Sequence, residues 1–79
     1  MKAKVYVTLK KGVLDPQGKA VMSALQSTGF DEVTDVRIGK FMELEIKDGQ
    51  KDAEEARLKQ MCEKLLANTV IENYRIELE

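Results

Sequence analysis

Three features of this sequence predict an α+β domain with the element order β-α-β-β-α-β. Apolar and polar residues alternate near both ends of the chain, as they do in half-buried strands. Two further segments carry apolar residues at helical spacing. Between those segments a third alternation runs from Val33 to Ile46, long enough for two strands. Right-handed crossovers then place both helices on one face of a four-stranded antiparallel sheet, the ferredoxin-like arrangement.

The first strand is set by Val5, Val7 and Leu9, which alternate with Lys4, Tyr6, Thr8 and Lys10. Asp15 suits an N-cap, and Pro16 suits the first helical position, where its missing N–H costs nothing. Ala20, Val21, Ala24 and Leu25 follow at helical spacing, and Gly29 stands where a C′ glycine closes a helix.

The middle run allows two readings. A three-residue loop, Gly39-Lys40-Phe41, pairs Ile38 with Met42 and Val36 with Leu44, so that Val36, Ile38, Met42, Leu44 and Ile46 share a face. A two-residue turn at Gly39-Lys40 would split that set. The hairpin is therefore preferred, although one long bent strand keeps the same parity. Asp48 to Lys51 reads as a polar link, and Asp52 with Glu55 resembles a capping box. The second helix carries a stripe of Leu58, Met61, Cys62 and Leu65, with Leu66 beside it, and an exposed first turn. It ends near Asn68. Tyr74, Ile76 and Leu78 make the last strand.

Composition narrows the function. Seventy-nine residues form a single domain spanning 1–79. A core of this size supplies only about 3–5 kcal/mol of net stability without reinforcement. With one cysteine and no histidine, neither a disulfide nor a zinc site provides it. Self-association is the remaining common reinforcement. The 13 basic and 14 acidic residues nearly cancel, leaving a net charge of −1, so nucleic acid and anionic membranes have no electrostatic attraction to the chain. No apolar run approaches membrane-spanning length. The start, Met1-Lys2-Ala3-Lys4, leads into a strand rather than a signal peptide, and a cytoplasmic protein is expected.

The chemistry-bearing patterns are thin. Gly12 and Gly18 mimic a phosphate-binding loop between strand and helix, but five residues separate them instead of four. Ala20 stands where a magnesium-binding hydroxyl is needed, and Asp15 would repel phosphate. Cys62 lies on an apolar stripe without a base, as a structural thiol does. Pairs such as Glu43/Glu45 and Glu54/Glu55 read as solvated charges. The lysines and Arg37 near the sheet ends form a weak anion site at most. No catalytic residue, metal site or cofactor of its own is expected. The uncovered sheet face, with Tyr6, Thr8, Val33, Arg37, Phe41 and Arg75, has the mixed composition of an association surface.

The runs Val5 to Lys10 and Gly12 to Val21, with Leu14-Asp15-Pro16-Gln17-Gly18 the most specific stretch, resemble the PurS family. So do Ala24-Leu25 with Gly29-Phe30, Val36 to Lys40, Met61 to Asn68, and Val70 to Ile76. The resemblance covers essentially the whole chain. PurS proteins are the small subunits of phosphoribosylformylglycinamidine synthase in purine biosynthesis. The resemblance implies a non-catalytic subunit that bridges a large synthetase subunit and a glutaminase subunit and assists ammonia transfer. ATP and magnesium are then expected in the synthetase partner. The small core and the uncovered face point to a homo-oligomer, a dimer or tetramer, with Tyr6, Thr8, Val33, Phe41 and Arg75 on its face. Partner contacts are expected from Asp15, Pro16, Gln17 and Gly18 and from Arg37, Gly39 and Lys40, whose cations would meet carboxylates across an interface. A ligand-sensing regulatory domain with the same element order is the alternative.

Overall fold

The computed structural model describes residues 1–47 and 51–79. Its elements are β1 (Lys2–Leu9), α1 (Pro16–Ser27), β2 (Lys40–Glu45), α2 (Lys51–Met61), a π-helical turn (Cys62–Leu66) and β3 (Glu72–Leu78). The expected polar link at residues 48–50 and the Asp52 side chain of the expected capping box lie outside the described residues.

The sheet has three strands among the described residues, not four, in the order β2-β1-β3. Both pairings are antiparallel. Val5 stands opposite Met42 on one side and Ile76 on the other; Val7 stands opposite Lys40 and Tyr74. The hairpin at Gly39-Lys40-Phe41 does not form. Lys40 and Phe41 are instead the first two residues of β2, paired with Val7 and Tyr6. Between Val33 and Gly39 the chain makes no turn and has no ladder partner among the described residues. The long-strand reading is thus nearer, with only its second half paired. Gly39 marks the entry to β2: a Cβ there would lie 2.3 Å from the Val7 carbonyl oxygen. The backbone passes β1 too closely for a side chain and runs on straight.

The core lies between β1 and the second helical segment. Val5 and Val7 are buried on the side of β1 that their alternation marks, in one cluster with Cys62 and Ala67; Ala3 on the same strand and Leu58 of α2 are buried as well. Met42, Leu44, Leu66, Tyr74 and Ile76 pack around them. Leu65 departs from its expected place on the stripe and is 84% exposed. The cause is the π turn, closed by the Ala67 N–H donating to the Cys62 carbonyl at 2.8 Å. That five-residue spacing widens the helix, so Leu66, not Leu65, turns inward.

The first helix is where the expected arrangement fails. Among the described residues α1 makes no packed interface with the sheet or with α2. It packs instead against its own return segment: Gln26 Nε2 donates to the Val33 carbonyl at 2.9 Å. Gly29, at φ 102°, reverses the chain after the helix. The radius of gyration is 16.0 Å, against about 12 Å for a compact chain of this length. The longest dimension is 49 Å. β1 is about 26 Å long and α1 about 18 Å. Laid end to end they nearly span that dimension, so α1 and residues 28–39 project from the end of the sheet as an arm.

Leu58→Ala should destabilise the chain by about 2–5 kcal/mol, the usual range for a fully buried leucine. Leu65→Ala should stay within about 0.5 kcal/mol of wild type. Urea unfolding followed by circular dichroism separates the two, and equal losses would refute the placement of the π turn.

Candidate functional site

The Asp15-Pro16-Gln17-Gly18 turn and the Val36-to-Lys40 segment come together at the base of the arm. Asp15 joins them. One carboxylate oxygen accepts from the Gly18 N–H at 2.9 Å, as an N-cap does. The other accepts from the Ile38 N–H at 2.7 Å, 23 positions along the chain. The side chain is buried, with 5% of its residue surface exposed. These bonds favour the charged form. The Ile38 N–H first and the Gly18 N–H second hold the carboxyl below its ordinary pKa against the opposing effect of burial, and the Arg37 charge adds to them.

Gly18 is buried in the first turn of α1. A Cβ there would meet the Val36 carbonyl oxygen at 2.2 Å and the Asp15 carboxylate at 2.8 Å. Its absence of a side chain lets the return segment cross the helix start. The close approach expected of Gly18 is therefore made within the chain.

Gln17, Gly39 and Lys40 share a cleft of about 200 Å³ with Asp15, Ile38 and Glu72. Lys40 Nζ lies 4.0 Å from a Glu72 carboxylate oxygen, so its charge already has a partner within the chain. Arg37 points elsewhere. Its guanidinium donates to the Lys10 carbonyl at 3.1 Å and lines a second opening of about 440 Å³ with Lys11, Gly12 and Asp35. Sequence reasoning missed Ile38 and Glu72. Ile38 contributes through its backbone and Glu72 through a long-range approach, and neither leaves a local pattern.

The open sheet face gathers Tyr6, Phe41 and Arg75 directly. Phe41 and Arg75 are the ladder partners of Tyr6 on its two sides. The Tyr6 and Phe41 rings lie 5.0 Å apart at a tilt, and the Arg75 guanidinium sits 4.2 Å from the Tyr6 ring centre. Arg75 also pairs with Glu77. Exposed Thr8 flanks them. Val33 and Arg37 do not belong to this face, because residues 33–39 leave the sheet for the arm. Lys2–Glu43 at 3.0 Å and Lys4–Glu79 at 2.7 Å complete a paired charge pattern across the strands. Cys62 is buried at the core, where desolvation pushes its thiol pKa up. That opposes a nucleophilic role.

The fold and these two surfaces define a small α+β binding domain whose buried polar group serves its own backbone. Residues 2–79 match the family profile described as PurS, phosphoribosylformylglycinamidine (FGAM) synthase. The chain is 62% identical over 78 residues to the phosphoribosylformylglycinamidine synthase subunit PurS of Bacillus subtilis strain 168, covering 99% of this chain and 92% of that one. A crystal structure of B. subtilis PurS, also 62% identical, superposes with a TM-score of 0.88 over 99% of this chain and 96% of that one. PurS of Methanocaldococcus jannaschii, described as one of the subunits of formylglycinamide ribonucleotide amidotransferase in the purine biosynthetic pathway, is 40% identical with a TM-score of 0.86, covering 99% and 94%. A chain in the structure of PurLQS from Thermotoga maritima is 30% identical with a TM-score of 0.87, covering 96% and 93%. The chain belongs to the PurS family.

Gly18→Ala should destabilise by about 1–3 kcal/mol through the backbone clash, although alanine is the better helix former by up to about 1 kcal/mol. A stabilised variant in denaturant titration would sink this account. The Asp15 carboxyl holds its proton less tightly folded than unfolded. Its stabilisation is therefore full above the ordinary carboxylate range and is lost as pH falls through that range and past the lowered folded value. Thermal melts from neutral to strongly acidic pH should show a smaller acid loss for Asp15→Asn than for wild type. Parallel losses would mean that Asp15 does not carry it.

Proposed function

We propose that this chain is the non-catalytic small subunit of a phosphoribosylformylglycinamidine synthase complex in purine biosynthesis. It bridges the glutaminase and the synthetase subunits and assists the passage of ammonia between them. The complex converts formylglycinamide ribonucleotide, ATP and glutamine to the amidine, ADP, phosphate and glutamate. ATP and magnesium belong to the synthetase partner, and the setting is the cytoplasm. No helix among the described residues is long and apolar enough to cross a membrane, which accords with that setting. The observation that carries the reading is the family match along residues 2–79, joined by the likeness to a chain of PurLQS.

The subunit works as a homo-oligomer. Val21, Phe30, Ile38 and Phe41 are all exposed large apolar residues on the arm or beside it. A small chain gains stability by covering such surface. The Asp15-to-Gly18 turn, with Arg37, Gly39 and Lys40 next to it, supplies a polar rim for the other subunits. Asp15 holds the turn, and the two cations, engaged in the single chain with Glu72 and the Lys10 carbonyl, reach further to carboxylates across the contact.

Reconstitution tests the bridging role. Glutamine-dependent amidine formation by the synthetase and glutaminase subunits should require this chain, while ammonia-dependent formation should survive without it. A chain that changes neither activity and binds neither subunit overturns the reading. The double charge reversal Arg37→Glu with Lys40→Glu should weaken assembly roughly tenfold or more, as opposed rim charges do, with the far-ultraviolet circular dichroism unchanged. Unaltered assembly would remove both residues from the contact.

A further inference from the structure

We propose that the opening between the end of β1 and the base of the arm binds an acidic α-amino acid, L-glutamate, by matching its two carboxylates and its ammonium group. The charge match stands on the cleft alone. The choice of glutamate rests on the role proposed above, in which a glutaminase working beside this chain releases that product.

Two stretches far apart in the sequence build the opening. Thr8, Leu9, Lys11 and Gly12 come from β1 and the turn after it, and Asp35 and Arg37 from the run that returns along the arm. The turn is fixed. The Val13 N–H donates to the Lys10 carbonyl at 3.1 Å, and Gly12, at φ 88°, takes the left-handed conformation that such a turn needs at its third residue. Arg37 Nη2 donates to that same carbonyl at 3.1 Å, which pins the guanidinium beside the turn that carries Lys11. The volume is about 440 Å³, inside the range of small-molecule sites, about 300–1,000 Å³.

Two cations and one carboxylate line this opening, and among the described residues none of the three is in an ion pair. Arg37 keeps further N–H donors beyond the one given to Lys10. Asp35 gives one oxygen to the Val36 N–H at 3.0 Å and keeps the other. A plain anion suits this set poorly, because Asp35 repels it. A neutral zwitterion leaves one cation unmatched. An amino acid with a second carboxylate answers all three charges. Spacing agrees: in a straight run, residues two apart leave the same face about 6.6 Å from one another. The α-ammonium of one ligand can therefore meet Asp35 while its α-carboxylate meets Arg37, each by a charge-assisted hydrogen bond. Lys11 then takes the side-chain carboxylate, the Thr8 hydroxyl adds a donor, and Leu9 offers apolar contact to the methylene stem. Arg37 is also the guanidinium proposed above for a partner's carboxylate, so ligand and partner are alternative occupants of it.

Two-dimensional amide NMR of the isotope-labelled full chain tests this, with L-glutamate, L-glutamine, glutarate and inorganic phosphate as separate probes at matched ionic strength. L-Glutamate should give saturable shifts confined to residues 10–13 and 34–38. Binding should be roughly tenfold weaker for L-glutamine, which lacks the second carboxylate, and for glutarate, which lacks the ammonium. Lys11→Gln should bring glutamate down to the glutamine level, and Asp35→Asn should erase its advantage over glutarate. Both residues are exposed, and the wild-type probes decide the matter even where a variant misfolds. Glutarate binding as tightly as glutamate, or phosphate binding more tightly, would show a plain anion site and overturn the proposal. Absence of saturable shifts would overturn it as well. The chain is titrated alone, so either result leaves the bridging role to the reconstitution described above. Glutamate binding by a chain that fails reconstitution would keep this site and remove that role.

Discussion

The carboxylate of Asp15 is the constraint on which the shape of this chain turns. It caps α1 through Gly18 and, with its second oxygen, anchors Ile38. Those two bonds fix where the helix begins and where the returning segment passes it. The rest follows from sterics. The return segment crosses the first turn so closely that only glycine fits at position 18, and the next close passage, past β1, leaves room only for glycine at position 39. A buried carboxylate is costly unless its oxygens are satisfied, and here backbone N–H groups satisfy both. Charge, capping and long-range topology thus meet in one side chain.

A second constraint is the small size of the core. β1 is paired on both sides, and Val5 and Val7 with Leu58 and Cys62 are its largest fully buried side chains. That is little apolar burial for a chain of 79 residues, and the arm adds almost none because α1 does not lie on the sheet. The open face is held by strand-to-strand pairs, Lys2–Glu43 and Lys4–Glu79, which are exposed and contribute little to stability. Tyr6, Phe41 and Arg75 add a local stack without closing the face. The apolar surface left over is concentrated on the arm and at the edge it leaves, and an association surface built there adds burial where the single chain is poorest.

Much of this was legible in the sequence, and what was not has physical reasons. The strands β1 and β3 followed from period-two alternation, and the Asp15-Pro16 start of α1 from capping chemistry. Both depend on neighbours a few residues apart. The middle run misled because parity records which side chains share a face but says nothing about which backbone they pair with. A hairpin and a straight run give the same pattern through Val36, Ile38, Met42, Leu44 and Ile46, and the deciding contact, Gly39 against Val7, is 32 positions away along the chain. Leu65 was misplaced because a helical stripe assumes a constant period, and the π turn at Cys62–Leu66 changes it. Within the candidate site, Asp15, Gln17, Gly39 and Lys40 were found together, whereas Arg37 turned to Lys10 and Val33 went with the arm. Alternation placed both on the sheet only on the assumption that the sheet continued there.

The same facts decide what Asp15 and Cys62 can do. A catalytic group needs a rigid setting that holds it out of equilibrium with solvent, usually with a perturbed pKa turned toward a substrate. Asp15 has the rigid setting and the lowered pKa, but both oxygens are committed to backbone N–H groups, and the perturbation stabilises the turn. Cys62 has the burial, but desolvation raises its pKa and favours the unreactive thiol. In each case the physics that perturbs the group also withdraws it from reaction. Exposed beside them are a backbone edge, an apolar arm and a charged rim, the surfaces on which the proposed role rests.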